Sequence, residues 1–555
     1  MKLSRANLYI ALSLVFLLLS SIITMPVPAS TLPTEPITLL PSPELSSISQ
    51  PQGSQGSEAT LAATQPLTAT SFVLLPMVVH NQRSRPACSQ HSPFSLQIAA
   101  LHQVEPGGNG THTIQALNEA EWWVLYEESF PSLMEALKAS GACWARLRVD
   151  WALIQPDPPP APYIWGPYHD EKLRLVAETG VQLIVHVDGI PDWAGDAPEG
   201  PIDPTRLDAF RQFLIDLVDR YKEPPWNVHH WELFNEPDRT VPAGGSLRLD
   251  SGQALGWGHN GGQYAQMLEV AYAAIKAADP EATVLMGGVA YDWFLENGGP
   301  FYRYFLDDVM ASGGAEHLDT LNFHYFPDFH HEWERWDPSS EERLTGWLPA
   351  PTCGDLFDGQ GAVYEAGGID LIAKANHFRN RLQTCFGVDK PIWLTELGEH
   401  GRAGAPNSLA QQARYVIQGY VRGLAAGIQN ITWFTLVSPP YDPYEQGLLY
   451  EDDWSPKPAY YTYQTLTREL AGYAYSYTLE VPDVEGYVFR DDHGQEKTVA
   501  WGSGRVTFAP ASLLRIVDRE GNVTIVEDGG ERDADRTQNG AVQLQITADP
   551  IFVSR

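Results

Sequence analysis

Two short stretches carry the residues best placed to do chemistry: Trp231-Glu-Leu-Phe-Asn-Glu-Pro-Asp238 and Ile392-Trp-Leu-Thr-Glu-Leu-Gly398. Each begins as an apolar, β-prone run and ends in a glutamate where the run breaks, Glu236 in the first and Glu396 in the second. A parallel barrel strand presents a side chain to solvent at that end. Two carboxylates delivered this way to one cleft can divide the work on an acetal bond: one protonates the departing oxygen, the other attacks carbon or activates water. Alone, either segment reads as a buried strand with a turn glutamate. Both together, roughly 160 residues apart on a strand–helix pattern, favour the paired reading.

The elements that must position them follow from periodicity. Strand-like segments lie at 94–101, 143–150, 181–188, 228–235, 282–289, 317–325, 390–396 and 431–437. Amphipathic stretches such as Pro204–Tyr221, Gln263–Ala278 and Pro458–Leu470 alternate with them. Eight strands with intervening helices in one run predict a closed (β/α)8 TIM barrel over 93–471. After 472 short alternating strands with Gly-Asn and Asp-Gly turns predict a small β-sandwich-like domain over 472–555. Its expected role is to brace the barrel, with carbohydrate binding as the alternative.

On these motifs the chain resembles the retaining glycoside hydrolases of clan A, in the manner of family 39 or family 5. The likeness covers about 93–471. Relatives of this kind end a fourth strand in Asn-Glu-Pro and a seventh in Thr-Glu. The resemblance implies Glu236 as acid/base, Glu396 as nucleophile, a β-linked glycan or glycoside as substrate, and no metal or organic cofactor. It implies that Asn235 donates to the sugar 2-hydroxyl and that a second-strand arginine lies beside the nucleophile. In Trp144-Ala-Arg-Leu-Arg-Val-Asp-Trp151 the spacing to Trp151 best matches Arg146, with Arg148 the other candidate. By the same resemblance His324 and Tyr325 end the sixth strand near the nucleophile or sugar, and Trp433 forms an apolar floor. His186 and Asp188 on the third strand would project near a substrate hydroxyl. The 326–367 loop, with Trp333, Trp336 and Trp347, would wall the cleft, and His400 would line a subsite.

Strict alternation along 228–236 puts Glu232, Phe234 and Glu236 on one face and Trp231, Leu233 and Asn235 on the other. Glu232 then reads as structural, paired with a barrel cation. Glu236 is expected to hold a proton, its pKa raised by burial and by a negative Glu396. Retaining geometry would set the two carboxyls about 5–5.5 Å apart.

The formal charge of −33 argues against nucleic acid, and against strongly acidic polysaccharides unless a local basic pocket exists. Lys2 and Arg5 precede an apolar run from Leu8 to Met25, and Val27-Pro28-Ala29 offers a cleavage site, so 1–29 reads as an export signal. Left uncleaved, it would tether the chain to a membrane. Residues 30–71 read as a Ser/Thr/Pro-rich linker and 72–92 as a lead-in strand. Cys88 and Cys143 would lie near the bottom of adjacent strands, where they could pair. No stable protein partner is implied.

Two rival readings oppose an acetal-cleaving enzyme. A sugar-binding surface protein on a decayed barrel would be expected to have lost one glutamate, and both are present. A metal-dependent hydrolase would need His229, His230, His324 and His400 to converge, but adjacent strand residues such as His229 and His230 point to opposite faces.

Overall fold

The computed structural model describes Cys88 and residues 92–98, 104–107, 111–114, 132–240, 256–295, 298–327, 369–438, 444–451 and 453–555. The expected signal and linker, nearly all of the lead-in, and the three loop tryptophans lie outside these residues. No helix among the described residues is long and apolar enough to cross a membrane.

Eight parallel strands form one sheet. They are β1 (Phe94–Gln97), β2 (Trp144–Asp150), β3 (Gln182–Asp188), β4 (His230–Leu233), β5 (Thr283–Met286), β6 (Leu321–Tyr325), β7 (Ile392–Leu397) and β8 (Ile431–Trp433). Hydrogen bonding runs β5-β4-β3-β2-β1-β8-β7-β6. The ring closes between β5 and β6 through the bridges Leu285–Thr320 and Val289–Phe323. Each strand is followed by a helix: α1 (132–140), α2 (Gly166–Glu178), α3 (Leu207–Tyr221), α4 (Gly261–Ala278), α5 (Phe305–Ala311), α6 (Asp370–Arg381), α7 (Pro406–Ala425) and α8 (Pro458–Leu470). This is the TIM barrel that the alternation predicts. Two short strands, Val104–Gly107 and Thr111–Ile114, pair with each other outside it.

Helix α3 shows why these segments dock. Phe210, Phe213, Leu214, Leu217, Val218 and Tyr221 recur at helical spacing and are all buried. Each such side chain contributes roughly 1.5–3 kcal/mol of transfer free energy. At the opposite end from the two glutamates, a disulfide ties Cys88 to Cys143 just ahead of β2. Cys385 is disulfide-bonded as well.

The C-terminal region is a six-stranded antiparallel sheet in the order Tyr473–Thr478, Val484–Asp491, Glu496–Gly502, Ile551–Ser554, Leu513–Asp518 and Val523–Glu527. A two-stranded sheet, Arg505–Phe508 with Val542–Gln545, accompanies it. Alternation divides the faces: Tyr487, Phe489, Val499, Trp501, Val517 and Phe552 join the barrel core. Ala500, Leu514, Val526 and Val553 form a separate core with Val506, Val542 and Leu544. Buried ion pairs lock the junction. Arg422 of α7 bonds both carboxylate oxygens of Glu485, each at 2.7 Å. Glu469 of α8 takes Lys497 at 2.9 Å and Arg515 at 3.0 Å.

Burial raises the Glu469 carboxyl, but Arg515 and Lys497 outweigh it and hold it at about 2, below its ordinary 4.5. A carboxyl depressed on folding adds stability that is full above its unfolded value and disappears as pH falls through the folded one. Glu469→Gln is therefore expected to lower the melting temperature at pH 7 and to flatten the acid loss of stability between about pH 4.5 and 2. Thermal melts across that range check it.

Candidate active site

Both glutamates reach the carboxyl-terminal mouth of the barrel through departures from regular strand geometry. β4 ends at Leu233, and Phe234 and Glu236 adopt left-handed φ values of 67° and 42°. The left-handed turn at Phe234 breaks the two-residue alternation. Phe234 consequently packs outward on Phe210 and Trp257 at 6.2 and 5.2 Å, while Asn235 turns inward with Glu232. The face shared by Glu232, Phe234 and Glu236 in the sequence reading is thus corrected. On β7 the register with β6 shifts between Leu394 and Glu396. This irregularity lets Thr395 and Glu396, adjacent in sequence, both meet interior partners.

Arg146 holds the interior together. It is fully buried, and its Nη1 donates to Glu396 Oε1 at 2.6 Å and to Gln97 Oε1 at 2.8 Å. Nε donates to Glu232 Oε2 at 2.7 Å, and Nη2 to Glu232 Oε1 at 2.9 Å and Asn235 Oδ1 at 2.8 Å. Burial works against its charge, yet Glu232 and Glu396 outweigh burial and push its pKa upward. Arg148, the other candidate, pairs instead with Asp150 at 2.9 Å and Asp188 at 3.5 Å. Glu232 is the structural acid: its Oε1 also accepts from Asn322 Nδ2 at 2.9 Å, Gly288 N at 3.1 Å and Thr395 Oγ1 at 3.2 Å.

His324 stands between the two outer carboxylates. Nδ1 lies 3.3 Å from Glu236 Oε1 and 3.5 Å from Glu396 Oε2. An atom of each of these three residues falls within 4.8 Å of the others. With Thr395 Oγ1 donating to Glu232, the His324 Nε2–H donates to Thr395 at 3.2 Å. Nδ1 then faces the two carboxylates. Gly288 leaves room for this ring, since a Cβ there would overlap the imidazole.

The charge balance of the pair departs from the sequence expectation. Burial raises Glu236, but Arg239 and His324 more than reverse it and hold the carboxyl at about 2. Burial raises Glu396, with His324 and Arg146 opposing and the Glu236 charge adding to the rise. The expectation of a raised Glu236 reckoned with burial and a neighbouring carboxylate but not with Arg239, one turn along. Next to it, the buried Asp238 accepts from Ala290 N at 3.0 Å and Tyr291 N at 2.7 Å, bracing this loop on the one after β5. Burial pushes its carboxyl up to about 6.

Glu236, Glu396, Asn235, Arg146 and His324 are therefore brought together. His186 lies level with Glu232 and Arg148 by register. Burial and the nearby Arg146 and Arg148 push its pKa well down, so it is neutral. Two candidates fall elsewhere. Tyr325 shares its face with Phe323, which packs on Phe378 of α6, and Lys374 of α6 lies 5.6 Å from the Tyr325 ring. Trp433 pairs in register with the outward Leu96, is fully buried, and donates Nε1 to Gln446 O at 3.0 Å. The aromatic pair at the mouth is instead Phe326 and Phe434, edge to face at 5.8 Å beside Gly398. Of the four histidines that a metal site would need, only His324 joins the glutamates. His229 pairs with Asp279, His230 packs on Trp144 and Trp393, and His400 stacks on Tyr444.

Gln97, Asn322, Thr395, Asp238 and Arg239 escaped the sequence reading. The first three are isolated polar residues inside apolar strands, a signal that was there to be used. The last two sit one and two residues past Pro237, where strand periodicity has ended.

Comparison with solved structures gives the same barrel. A family 39 glycoside hydrolase from Bacteroides cellulosilyticus WH2 aligns with a TM-score of 0.55 and 16% identity, over 83% of this chain and 80% of that one. The catalytic domain of a family 30 xylanase C from Talaromyces cellulolyticus aligns with a TM-score of 0.50 and 11% identity, over 83% and 99%. No protein-family model and no curated protein matches the chain. The fold is thus similar to that of clan A-like glycoside hydrolases.

Removing Glu232 takes away two of the five hydrogen bonds of Arg146 and the shared acceptor of Gly288, Asn322 and Thr395, whereas removing Glu396 takes away one. Glu232→Ala is expected to lose roughly 3–5 kcal/mol and Glu396→Ala distinctly less, as measured by urea unfolding.

Proposed function

We propose that this protein is a retaining glycoside hydrolase that cleaves a β-glycosidic bond by double displacement. The observation that carries this reading is the convergence of Glu236, His324 and Glu396 within 4.8 Å at the barrel mouth, with Arg146 bound to Glu396. With one oxygen of each carboxylate inside that distance, the pair fits the closer spacing of retaining enzymes better than the wider one of inverting enzymes. The likeness in fold to family 39 and family 30 hydrolases supports it.

In the first step Glu396 Oε2 attacks the anomeric carbon as the bond to the glycosidic oxygen breaks, and a proton on Glu236 passes to that oxygen. Arg146 keeps Glu396 Oε1 charged and fixed. In the second step Glu236 takes a proton from water, the water oxygen bonds to the anomeric carbon, and the Glu396 ester bond breaks. Asn235 Oδ1 is occupied by Arg146, which leaves its Nδ2 to donate to a sugar hydroxyl, an interaction that strengthens as positive charge develops. His186 Nδ1 is buried without a hydrogen-bond partner and offers a second contact for a hydroxyl.

We further propose that the chain is exported by its N-terminal signal. The Cys88–Cys143 disulfide supports that, because such bonds persist in oxidising compartments.

A panel of aryl β-glycosides and β-glycans tests the activity. Glu396→Ala is expected to abolish hydrolysis of the sugar that the native enzyme accepts. Glu236→Ala should lose about 10²–10⁴-fold on substrates with poor leaving groups. Azide should restore its turnover of an activated aryl glycoside. Silence of the native protein across the panel, with glycan binding intact, would favour the sugar-binding reading instead.

A further inference from the structure

Arg239 sets a difficulty that the glycosidase reading does not resolve. A general acid must hold a proton, yet a guanidinium ion-paired to Glu236 Oε2 opposes protonation. The cation must therefore be engaged elsewhere when the substrate is bound. Its position says where. Glu236 turns Oε1 toward His324 and Oε2 toward Arg239. The anomeric carbon belongs between Glu236 and Glu396, and the leaving group departs toward the acid, the carboxylate that Arg239 contacts.

The backbone of Arg239 is held. Its N–H donates to Glu236 O at 3.0 Å, its carbonyl accepts from Gly258 N at 2.9 Å, and it bridges to Phe301. The side chain is 27% exposed, and its guanidinium lies 5.2 Å from the Phe301 ring centre. Glu199 and Asp238 add their charge to that of Glu236 around the guanidinium, although the Asp238 carboxylate oxygens accept from the Ala290 and Tyr291 amides.

We propose that Arg239 is a specificity-determining residue that binds an anionic substituent, carboxylate or sulfate, on the leaving-group portion of the substrate, and in doing so releases Glu236 to carry the proton. This rests on the glycosidase reading.

The test uses matched β-glycosides of whichever sugar the panel identifies, with phenyl, 4-carboxyphenyl and 4-sulfophenyl leaving groups. Each kcat/KM is divided by that of the same variant on the dinitrophenyl glycoside, so that partial misfolding cancels. After correction for leaving-group acidity, the native enzyme should favour at least one anionic aglycone over phenyl by about tenfold, in line with a charge-assisted hydrogen bond. The carboxyl and sulfo arms show which anion is preferred. Arg239→Gln should bring the ratio close to one, and Arg239→Lys should keep part of it. Equal rates on charged and neutral aglycones in the native enzyme, or an unchanged ratio in Arg239→Gln, would overturn the proposal. Failure to hydrolyse even the dinitrophenyl glycoside would overturn the glycosidase reading itself.

Discussion

One buried cation organises this barrel. Arg146 spreads its donors over Glu232, Glu396, Gln97 and Asn235, four residues from three strands and the turn that follows one of them. An unpaired guanidinium in such a place would be prohibitively unfavourable, so the surrounding acceptors are as much a condition of folding as of chemistry. Lysine would not substitute, because a point charge cannot bridge two carboxylates and two amides in a fixed plane. The planar fork orients the outer carboxylate, Glu396, by gripping the inner one, Glu232. His324 then extends the same network to Glu236 through Thr395 and Asn322, which also bind Glu232.

The site thus has two layers with different duties. Below, Glu232, Asn322, Thr395 and Gln97 are hydrogen-bonded to one another or to Arg146, and they set geometry. Above, Glu236 and Glu396 hold the charge that can change. Each outer carboxylate has its own arginine, but the two arginines differ: Arg146 is buried and fixed, Arg239 partly exposed. On the proposed mechanism, that asymmetry would separate a carboxylate kept in position as a nucleophile from one whose proton responds to what occupies the cleft.

Much of this was legible in the sequence because barrel strands announce themselves. All eight strand segments recur in order, and the two glutamates come from the fourth and seventh, as the Asn-Glu-Pro and Thr-Glu motifs imply. Arg146 was preferred over Arg148 on spacing, and the contact with Glu396 agrees. What was not legible depends on backbone departures at strand ends. The left-handed Phe234 reverses which side chains face inward, so alternation misassigns Phe234 and Asn235. Tyr325 and Trp433 were drawn in by their neighbours' roles, although the two-residue period already places Tyr325 with Phe323 rather than His324. Arg239 lies beyond the strand in a turn, and only the fold shows that it reaches back to Glu236.

The most direct measurement is covalent trapping. The protein would be incubated with activated 2-deoxy-2-fluoro-β-glycosides, digested with protease and analysed by mass spectrometry. A fluoroglycosyl adduct on the peptide bearing Glu396, absent from Glu396→Ala, is the expected result. Hydrolysis of the parent glycosides with inversion at the anomeric carbon and no adduct, or an adduct on another residue, would contradict the double-displacement assignment.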